Sequence, residues 1–254
     1  MVCGINDYES KPNLCGAVAD ATDVLHLLVT SYQVPRDQIH LLINKDASRA
    51  GIISALDGLS KDPRIERGDP ILFYFAGHGS EIPPPKGWEC GGPGRNIQIL
   101  VSQDYCSEPG LKIPGIPDRT IGFLLDKIAH SKGDNIVSFH CSNDSEALLT
   151  LTKKTVILDC CHAASGTRGE TVRSVEVDPS IHTNALDKDI WDERAPQCGL
   201  TSHVLLAACL SSEIARERDG RGAFTTELLH LLREVPPNEL RYRDILHKMR
   251  PISR

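Results

Sequence analysis

The 254-residue chain predicts a single α/β domain of three layers, α/β/α, with helices on both faces of a mostly parallel central sheet. Three observations carry this. Short apolar runs of strand length alternate with amphipathic stretches at helical spacing. The clearest runs are continuously apolar, as in strands buried on both faces. A hydrophobic content of 40% in a chain of this length suffices for one sizeable core, built on Leu, Ile, Val and Ala because only 5% of residues are aromatic.

The elements follow in order. Residues 2–5 form a first, very short strand. The stretch 17–31 sets Val18, Ala21, Val24, Leu25 and Leu28 at helical spacing. Residues 39–43 (IHLLI) make a short buried strand, and Ser48 caps a helix whose apolar face includes Ile52, Ile53, Leu56 and Leu59. After the turn-like RGDP comes the strand 71–76 (ILFYFA). A Gly/Pro-rich loop, PPPKGWECGGPG, leads to another strand at 97–102, and Asp118 precedes a helix over 119–130. Residues 155–158 (TVIL) and 203–208 (HVLLAA) are the last strands, and helices at 222–233 and 241–249 close the chain. Strands separated by helices need crossover connections, hence a largely parallel sheet. Between Gly166 and Thr201 the pattern dissolves into charged, Pro-containing, aperiodic sequence. That segment reads as a surface loop, or as one open to proteolysis.

Composition narrows the function classes. With 34 acidic and 28 basic residues the net charge is -6, and no Lys/Arg-rich run suggests a nucleic-acid track or an anionic membrane surface. No apolar run approaches the roughly 18 residues of a membrane span. Nine cysteines, an odd and scattered set without a leader-like N-terminus, argue against a disulfide framework. The expectation is reduced thiols, mostly small buried hydrophobes, in a cytosolic or nuclear protein.

Two stretches concentrate reactive side chains: FYFAGHGSE (residues 73–81) and VILDCCHAASG (156–166). Each is an apolar run that ends abruptly in small and reactive residues. In a parallel sheet both deliver those residues to the carboxyl edge, where open α/β sheets place their sites. Gly77 and Gly79 flank His78 and allow a tight turn and close approach of a substrate backbone. A thiol attacking a carbonyl needs a nearby base, which imidazole supplies, and the oxyanion needs backbone N–H donors of the kind such turns present. A structural histidine and an inert buried cysteine are the alternative reading of each stretch alone; the pairing at equivalent strand ends favours catalysis.

With these residues in view, the chain resembles the metacaspases and is identified as a caspase-like cysteine peptidase of clan CD, peptidase C14 type, most similar to the fungal kind. HGS after an apolar strand and Asp159-Cys160-Cys161-His162-Ala163 after a later one resemble the family's His and D-x-C-H-S-G signatures; the Ser-Gly pair comes two residues late, at Ser165-Gly166. Gly4-Ile5-Asn6, the run from Leu14 to Ala21, and Gly222-Ala223-Phe224-Thr225 resemble further family motifs in the same order. The resemblance implies a caspase-like fold over 1–254, with a large-subunit-like part (1–166), a linker with possible processing sites (167–200) and a small-subunit-like part (201–254) clipped at its C-terminus. It implies Cys161 as nucleophile and His78 as base, with N–H groups of Gly79 and Cys161 as the oxyanion hole. Asp20 and Asp159, with Ser211 where the family often has acidic residues, line a pocket for Arg or Lys. Glu213 and Glu217 stand close by in sequence. A structural reading of the same carboxylates is open too: Asp20 capping a helix, Asp159 taking backbone hydrogen bonds.

The implied reaction needs no cofactor and no metal in its chemistry, although the family commonly uses calcium as an activator; Asp187, Asp189, Asp192 and Glu193 supply hard oxygen donors. Partners are protein or peptide substrates, without nucleic acid or membrane, and the protein is a monomer or a self-processed form, with Arg168, Arg173, Lys188 and Arg194 in the linker as processing candidates. A catalytically inactive caspase-like binding module is the alternative. The stretch from His78 to Cys161 exceeds the roughly 50 residues of animal caspases. Part of that excess is residues 137–154, which read as an insert, or as an artefact of the gene model.

Overall fold

The computed structural model describes residues 1–85, 96–133, 155–160, 172–182, 204–208, 215–236, 239–240 and 242–250. Five strands, β1 (Val2–Gly4), β2 (Leu41–Ile43), β3 (Leu72–Ala76), β9 (Thr155–Asp159) and β10 (Val204–Ala207), form the central sheet in the order β10-β9-β3-β1-β2. Every neighbouring pair in it is parallel. The expected mostly parallel sheet is therefore present.

Crossover handedness explains where the helices lie. The step from β1 to β2 runs one way across the sheet, and those from β2 to β3 and from β3 to β9 run the other. Right-handed crossovers in opposite directions put their helices on opposite faces. Thus α1 (Ala17–Thr30) packs with α4 (Ala223–Glu234) on one face, while α2 (Arg49–Lys61) packs with α3 (Asp118–Lys132) on the other. A last helix, α5 (Tyr242–Lys248), packs on α4. Phe73, Tyr74, Phe75 and Ala76 of β3 are all buried, and so are Val156 and Ile157 of β9. Helix α1 contributes Ala17, Ala21, Val24, Leu27 and Leu28 to the core, and α2 contributes Ile52, Leu56 and Leu59. Ser48 caps α2 as expected, its Oγ accepting from the Gly51 N–H at 3.1 Å. At Gly4 an added Cβ would lie 2.6 Å from the Ala21 Cβ and 2.7 Å from the Ala17 carbonyl oxygen. The absent side chain is what lets β1 and α1 approach.

The strand read at 97–102 is real but lies outside the central sheet. It is β5 (Ile97–Leu100), paired antiparallel with β4 (Gly79–Ile82) and with β8 (Ile116–Pro117). An antiparallel pair, β6 (Cys106–Glu108) with β7 (Leu111–Ile113), stands beside it, and β11 (Glu217–Arg218) pairs with β12 (Arg221–Gly222) before α4. These short strands carry too few residues to reveal their partners by pattern.

A second difference concerns the segment read as a surface loop. Its described part, 172–182, is docked: Arg173, Val175, Ile181 and His182 are buried, and Asp178 caps a short 3₁₀ turn, Pro179–Ile181. The stretch 137–154 lies outside the described residues. Among the described residues, Cys3, Cys106 and Cys160 are buried and Cys15 is exposed. No helix among them is long and apolar enough to cross a membrane.

Candidate active site

The β3–β9 register pairs Ala76 with Asp159, and the Gly77 N–H reaches the Asp159 carbonyl at 3.4 Å. The two reactive stretches therefore leave the sheet side by side at its carboxyl edge. Gly77 makes the turn: a Cβ there would lie 2.7 Å from the Tyr8 hydroxyl oxygen and 2.9 Å from Phe75 Cζ. His78 follows, 2% exposed.

Two backbone and two ring contacts fix His78. The backbone N–H of His78 donates to the Tyr8 hydroxyl oxygen at 2.7 Å, and its carbonyl accepts from the Val101 N–H at 3.0 Å. The Tyr8 ring leans on the imidazole, centroids 4.8 Å apart. Nε2 lies 2.8 Å from the Pro12 carbonyl oxygen. A carbonyl only accepts, so Nε2 carries the proton and Nδ1 presents its lone pair. Nδ1 is buried and without a partner among the described residues. Burial holds this imidazole's pKa down, to about 4, against a smaller upward pull from the Pro12 bond. It is therefore a neutral base at physiological pH.

Asp20, on the first turn of α1, and Asp159, at the end of β9, come together although far apart in sequence. Between them lies Arg173, wholly buried. One guanidinium nitrogen lies 2.5 Å from Asp20 Oδ2 and 3.1 Å from Glu217 Oε1; the other lies 2.8 Å from Asp159 Oδ2 and 3.2 Å from the Asp159 carbonyl. Burial opposes the charge on Arg173, but Asp159 and then Asp20 outweigh it and hold the guanidinium above its usual pKa. One cation among three carboxylates leaves a net negative cluster. Burial accordingly raises Asp20 to about 6, against the pull of Arg173 and helped by repulsion from Asp159.

The rest of the cluster is closely supported. The Gly222 N–H donates to Asp20 Oδ2 at 2.8 Å. The Thr225 hydroxyl donates to Asp159 Oδ2 at 2.6 Å and so accepts from the Tyr74 hydroxyl at 2.8 Å. Glu217 spans α1 as well: its two oxygens accept from the Cys15 and Gly16 N–H groups, both at 2.9 Å. Helix α1 has no side-chain cap of its own at Gly16, and Glu217 supplies the acceptors.

Sequence reading named Asp20 and Asp159 as site residues, and the structure brings both together, buried, around Arg173. The helix-capping contacts at α1 come from Glu217, while Asp159 Oδ2 faces Arg173 and Thr225. Gly79 lies beside His78 as expected. Cys161 and Ser211 lie outside the described residues. So do Asp187, Asp189, Asp192 and Glu193, and among the described residues no group of three or more His, Cys, Asp or Glu forms a metal cluster. Pro12, Tyr8 and the pairing of Glu217 with Arg173 were not foreseen. Asn6 was visible only as part of the Gly-Ile-Asn opening; its amide ties Cys15 and Val18 and so shapes the loop that carries Pro12.

Comparison with known proteins gives the family. The chain matches the caspase-domain family, peptidase C14, over residues 1–252. It is 23% identical to metacaspase-1A of Aspergillus oryzae over 65% of its length, covering 34% of that protein. It is 26% identical to metacaspase-3 of Arabidopsis thaliana over 56% of its length, covering 39% of that protein. Against metacaspase-1 of Plasmodium falciparum the identity is 36% over 32% of the chain and 14% of the relative. The chain thus spans well under half the length of these curated relatives. The crystal structure of protein GSU0716 from Geobacter sulfurreducens shares the fold, with a TM-score of 0.63 over 98% of this chain and 88% of that one, at 20% identity. By its sequence over nearly its whole length, the chain belongs to the caspase-domain family of peptidases, peptidase C14, and is metacaspase-like within it.

Proposed function

We propose that the protein is a cysteine endopeptidase that hydrolyses peptide bonds after Arg or Lys, with Cys161 as nucleophile and His78 as base. The observation that carries this is the state of His78: a buried, neutral imidazole whose Nε2–H is engaged by the Pro12 carbonyl while Nδ1 has no partner among the described residues. Most buried polar side-chain atoms are satisfied, so an open Nδ1 beside a reactive stretch supports a base more than a purely structural ring. His78 stands two residues beyond Ala76, and Cys161 two residues beyond Asp159, the residue paired with Ala76. That equal offset on adjacent strands supports the dyad. Cys160 is fully buried among apolar side chains, which fits the inert partner of the Cys pair.

In the reaction the Cys161 thiol gives its proton to Nδ1 and attacks the substrate carbonyl. The Gly79 and Cys161 N–H groups hold the oxyanion. His78 protonates the leaving amine, and water cleaves the thioester. Asp20, Asp159 and Glu217, with Ser211 beside them in sequence, bind the basic side chain on the amino side of the bond. The large part (1–166) supplies the dyad and the small part (201–254) one wall of the pocket. Calcium acts, if at all, outside this chemistry, through carboxylates such as Asp187 and Asp189. The reaction suits a reducing, cytosolic or nuclear setting, where the thiol stays free.

Purified protein assayed on Arg-, Lys- and Asp-terminated peptide amides, with and without calcium, tests the reading. Cleavage after Arg and Lys, abolished in Cys161→Ala, is expected. No cleavage in any condition, with Cys161→Ala indistinguishable from wild type, would sink it in favour of a binding module. Cleavage after Asp would keep the dyad and discard the pocket.

A further inference from the structure

The buried phenol of Tyr8 touches His78 twice, and the proposed chemistry gives it no part. We propose that Tyr8 is a positioning residue of the dyad: it holds the backbone and the imidazole of His78 so that Nδ1 stays turned to the nucleophile. This rests on the peptidase reading above and adds a residue to it.

Sheet order brings Tyr8 to the site. β3, which leads to His78, lies between β1 and β9. The register sets Gly4 beside Ala76, and the Ile5 N–H donates to the Ala76 carbonyl at 3.0 Å. The chain then runs from β1 to α1 in a loop, residues 5–16, that meets the end of β3 at His78. His78 thus takes its support from the loop that follows one neighbouring strand, while the other neighbouring strand leads to Cys161. Tyr8 gives that support at two points. Its hydroxyl oxygen accepts the buried backbone N–H of His78 at 2.7 Å. Its ring lies against the imidazole, with centroids 4.8 Å apart and planes inclined at 43°, a separation at which aromatic rings attract. The hydroxyl fills the space that a side chain at position 77 would need, since a Cβ there falls 2.7 Å from it. Burial holds the phenol proton well above its usual pKa, so the group is neutral and sets no charge beside the base.

The loop itself is braced. The Tyr8 N–H donates to Asn13 Oδ1 at 3.0 Å, which closes residues 8–13 into a turn, and the carbonyl that accepts from Nε2 belongs to Pro12 within that turn. The Glu9 N–H donates to the Gln103 carbonyl at 3.1 Å, Ser10 Oγ donates to the Tyr105 carbonyl, and the Leu14 N–H donates to the Asn6 carbonyl at 2.9 Å. One turn therefore sets Tyr8 on the face of the imidazole and Pro12 at its edge. With face and edge both held, the ring keeps one orientation and one tautomer. A reacting group displaced by about 1 Å loses on the order of 100-fold in rate, so the bracing acts on the chemical step.

The test pairs activity with a readout of the ring itself, in the full chain. Tyr8→Phe keeps the aromatic face and removes the acceptor. Asn13→Ala, at an exposed position, keeps Tyr8 and opens the turn that presents it. Ile52→Val, in the buried face of α2, controls for lost stability alone. Hydrolysis of an Arg-terminated peptide amide, well below every variant's melting temperature, gives kcat and KM. The nitrogen shifts of His78 in histidine-labelled Cys161→Ala chains, assigned by their loss in Cys161→Ala/His78→Gln, give its tautomer. Tyr8→Phe is expected to lower kcat by about 10–100-fold with KM within about twofold, and to replace the single Nε2–H tautomer by a mixture. Asn13→Ala is expected to move both readouts the same way, with kcat down by roughly 3–10-fold. Ile52→Val is expected to keep kcat and tautomer while its melting temperature falls. Tyr8→Phe matching Ile52→Val in kcat, or losing kcat with the His78 nitrogens unmoved, overturns the role of Tyr8 while the peptidase reading survives. If Tyr8→Phe does not fold, Asn13→Ala decides on the same two readouts. No cleavage by wild type, with Cys161→Ala equal to it, overturns both.

Discussion

Gly222 offers a sharp test of the carboxylate–guanidinium cluster, because local and packing effects there have opposite signs. Its backbone, φ -66° and ψ 125°, is ordinary for any residue. Replacing glycine by alanine at such a position stabilises by about 0.4–1 kcal/mol through the unfolded chain alone. Against this, a Cβ would lie 2.2 Å from Asp159 Oδ2 and 2.7 Å from both Arg173 Nη1 and Asp20 Oδ2. Those atoms are the paired ends of the cluster and cannot retreat without opening it. Losing one buried ion pair costs about 3–5 kcal/mol, so Gly222→Ala should destabilise by roughly 2–4 kcal/mol net. In a domain of this size that lowers Tm by roughly 5–15 °C. The assay is thermal and urea unfolding in the Cys161→Ala background. Gly58→Ala is the control: this helix-interior position in α2 has no atom within 4 Å of an added Cβ, and it should gain up to about 1 kcal/mol. If Gly222→Ala matched or exceeded wild type in Tm, the cluster would not close around Gly222 as described.

Three further tests bear on the site. Burial lowers His78 from 6.5 to about 4, so the unfolded chain binds this proton first; stability is full above pH 6.5 and falls by roughly 3 kcal/mol as pH drops to 4. Asp20, raised to about 6 by burial, works in the opposite direction over part of this range. The His78 contribution is therefore read as the difference between the urea profiles of Cys161→Ala and Cys161→Ala/His78→Gln, and parallel profiles would refute it. Tyr8→Phe removes the acceptor of the buried His78 N–H and should cost about 1–3 kcal/mol, with hydrogen exchange at His78 accelerating; an unchanged stability would show another acceptor at hand. If the proposed peptidase function holds, Glu217→Gln should lower kcat/KM for an Arg-terminated peptide by about 10–100-fold, mainly through KM, since one charge-assisted bond is weakened. A loss confined to kcat would assign Glu217 to the chemistry instead.

The sheet was legible because its strands announce themselves one at a time. Residues 71–76 and 155–158 are continuous apolar runs, and continuous runs between helical stretches leave parallel burial as the main option. The small antiparallel sheet was not legible, since Gly79–Ile82 and Ile116–Pro117 are short and only partner choice makes them strands. At the site, His78 and Asp159 stood out as polar ends of apolar runs. Glu217 did not, because its role is to meet N–H groups at Cys15 and Gly16 some 200 residues away. Pro12 acts through a carbonyl that every residue has, so no side-chain pattern points to it. Arg173 was visible only as one of four linker cations; what separates it from Arg168 is burial, which aperiodic sequence does not encode.

The cluster also ties specificity to folding in one set of contacts. Asp20, Asp159 and Glu217 stand on α1, β9 and β11, elements from both ends of the chain, and the cation between them offsets their mutual repulsion. With the guanidinium gone, three buried carboxylates would face one another in a space where Asp20 already binds its proton near pH 6. Such a space has two remedies: it takes up protons, or it takes up another cation. At neutral pH the second is favoured, and in this structure the cation is the Arg173 guanidinium. The same unbalanced charge that holds Arg173 in place would, under the proposed peptidase function, discriminate against neutral and acidic side chains.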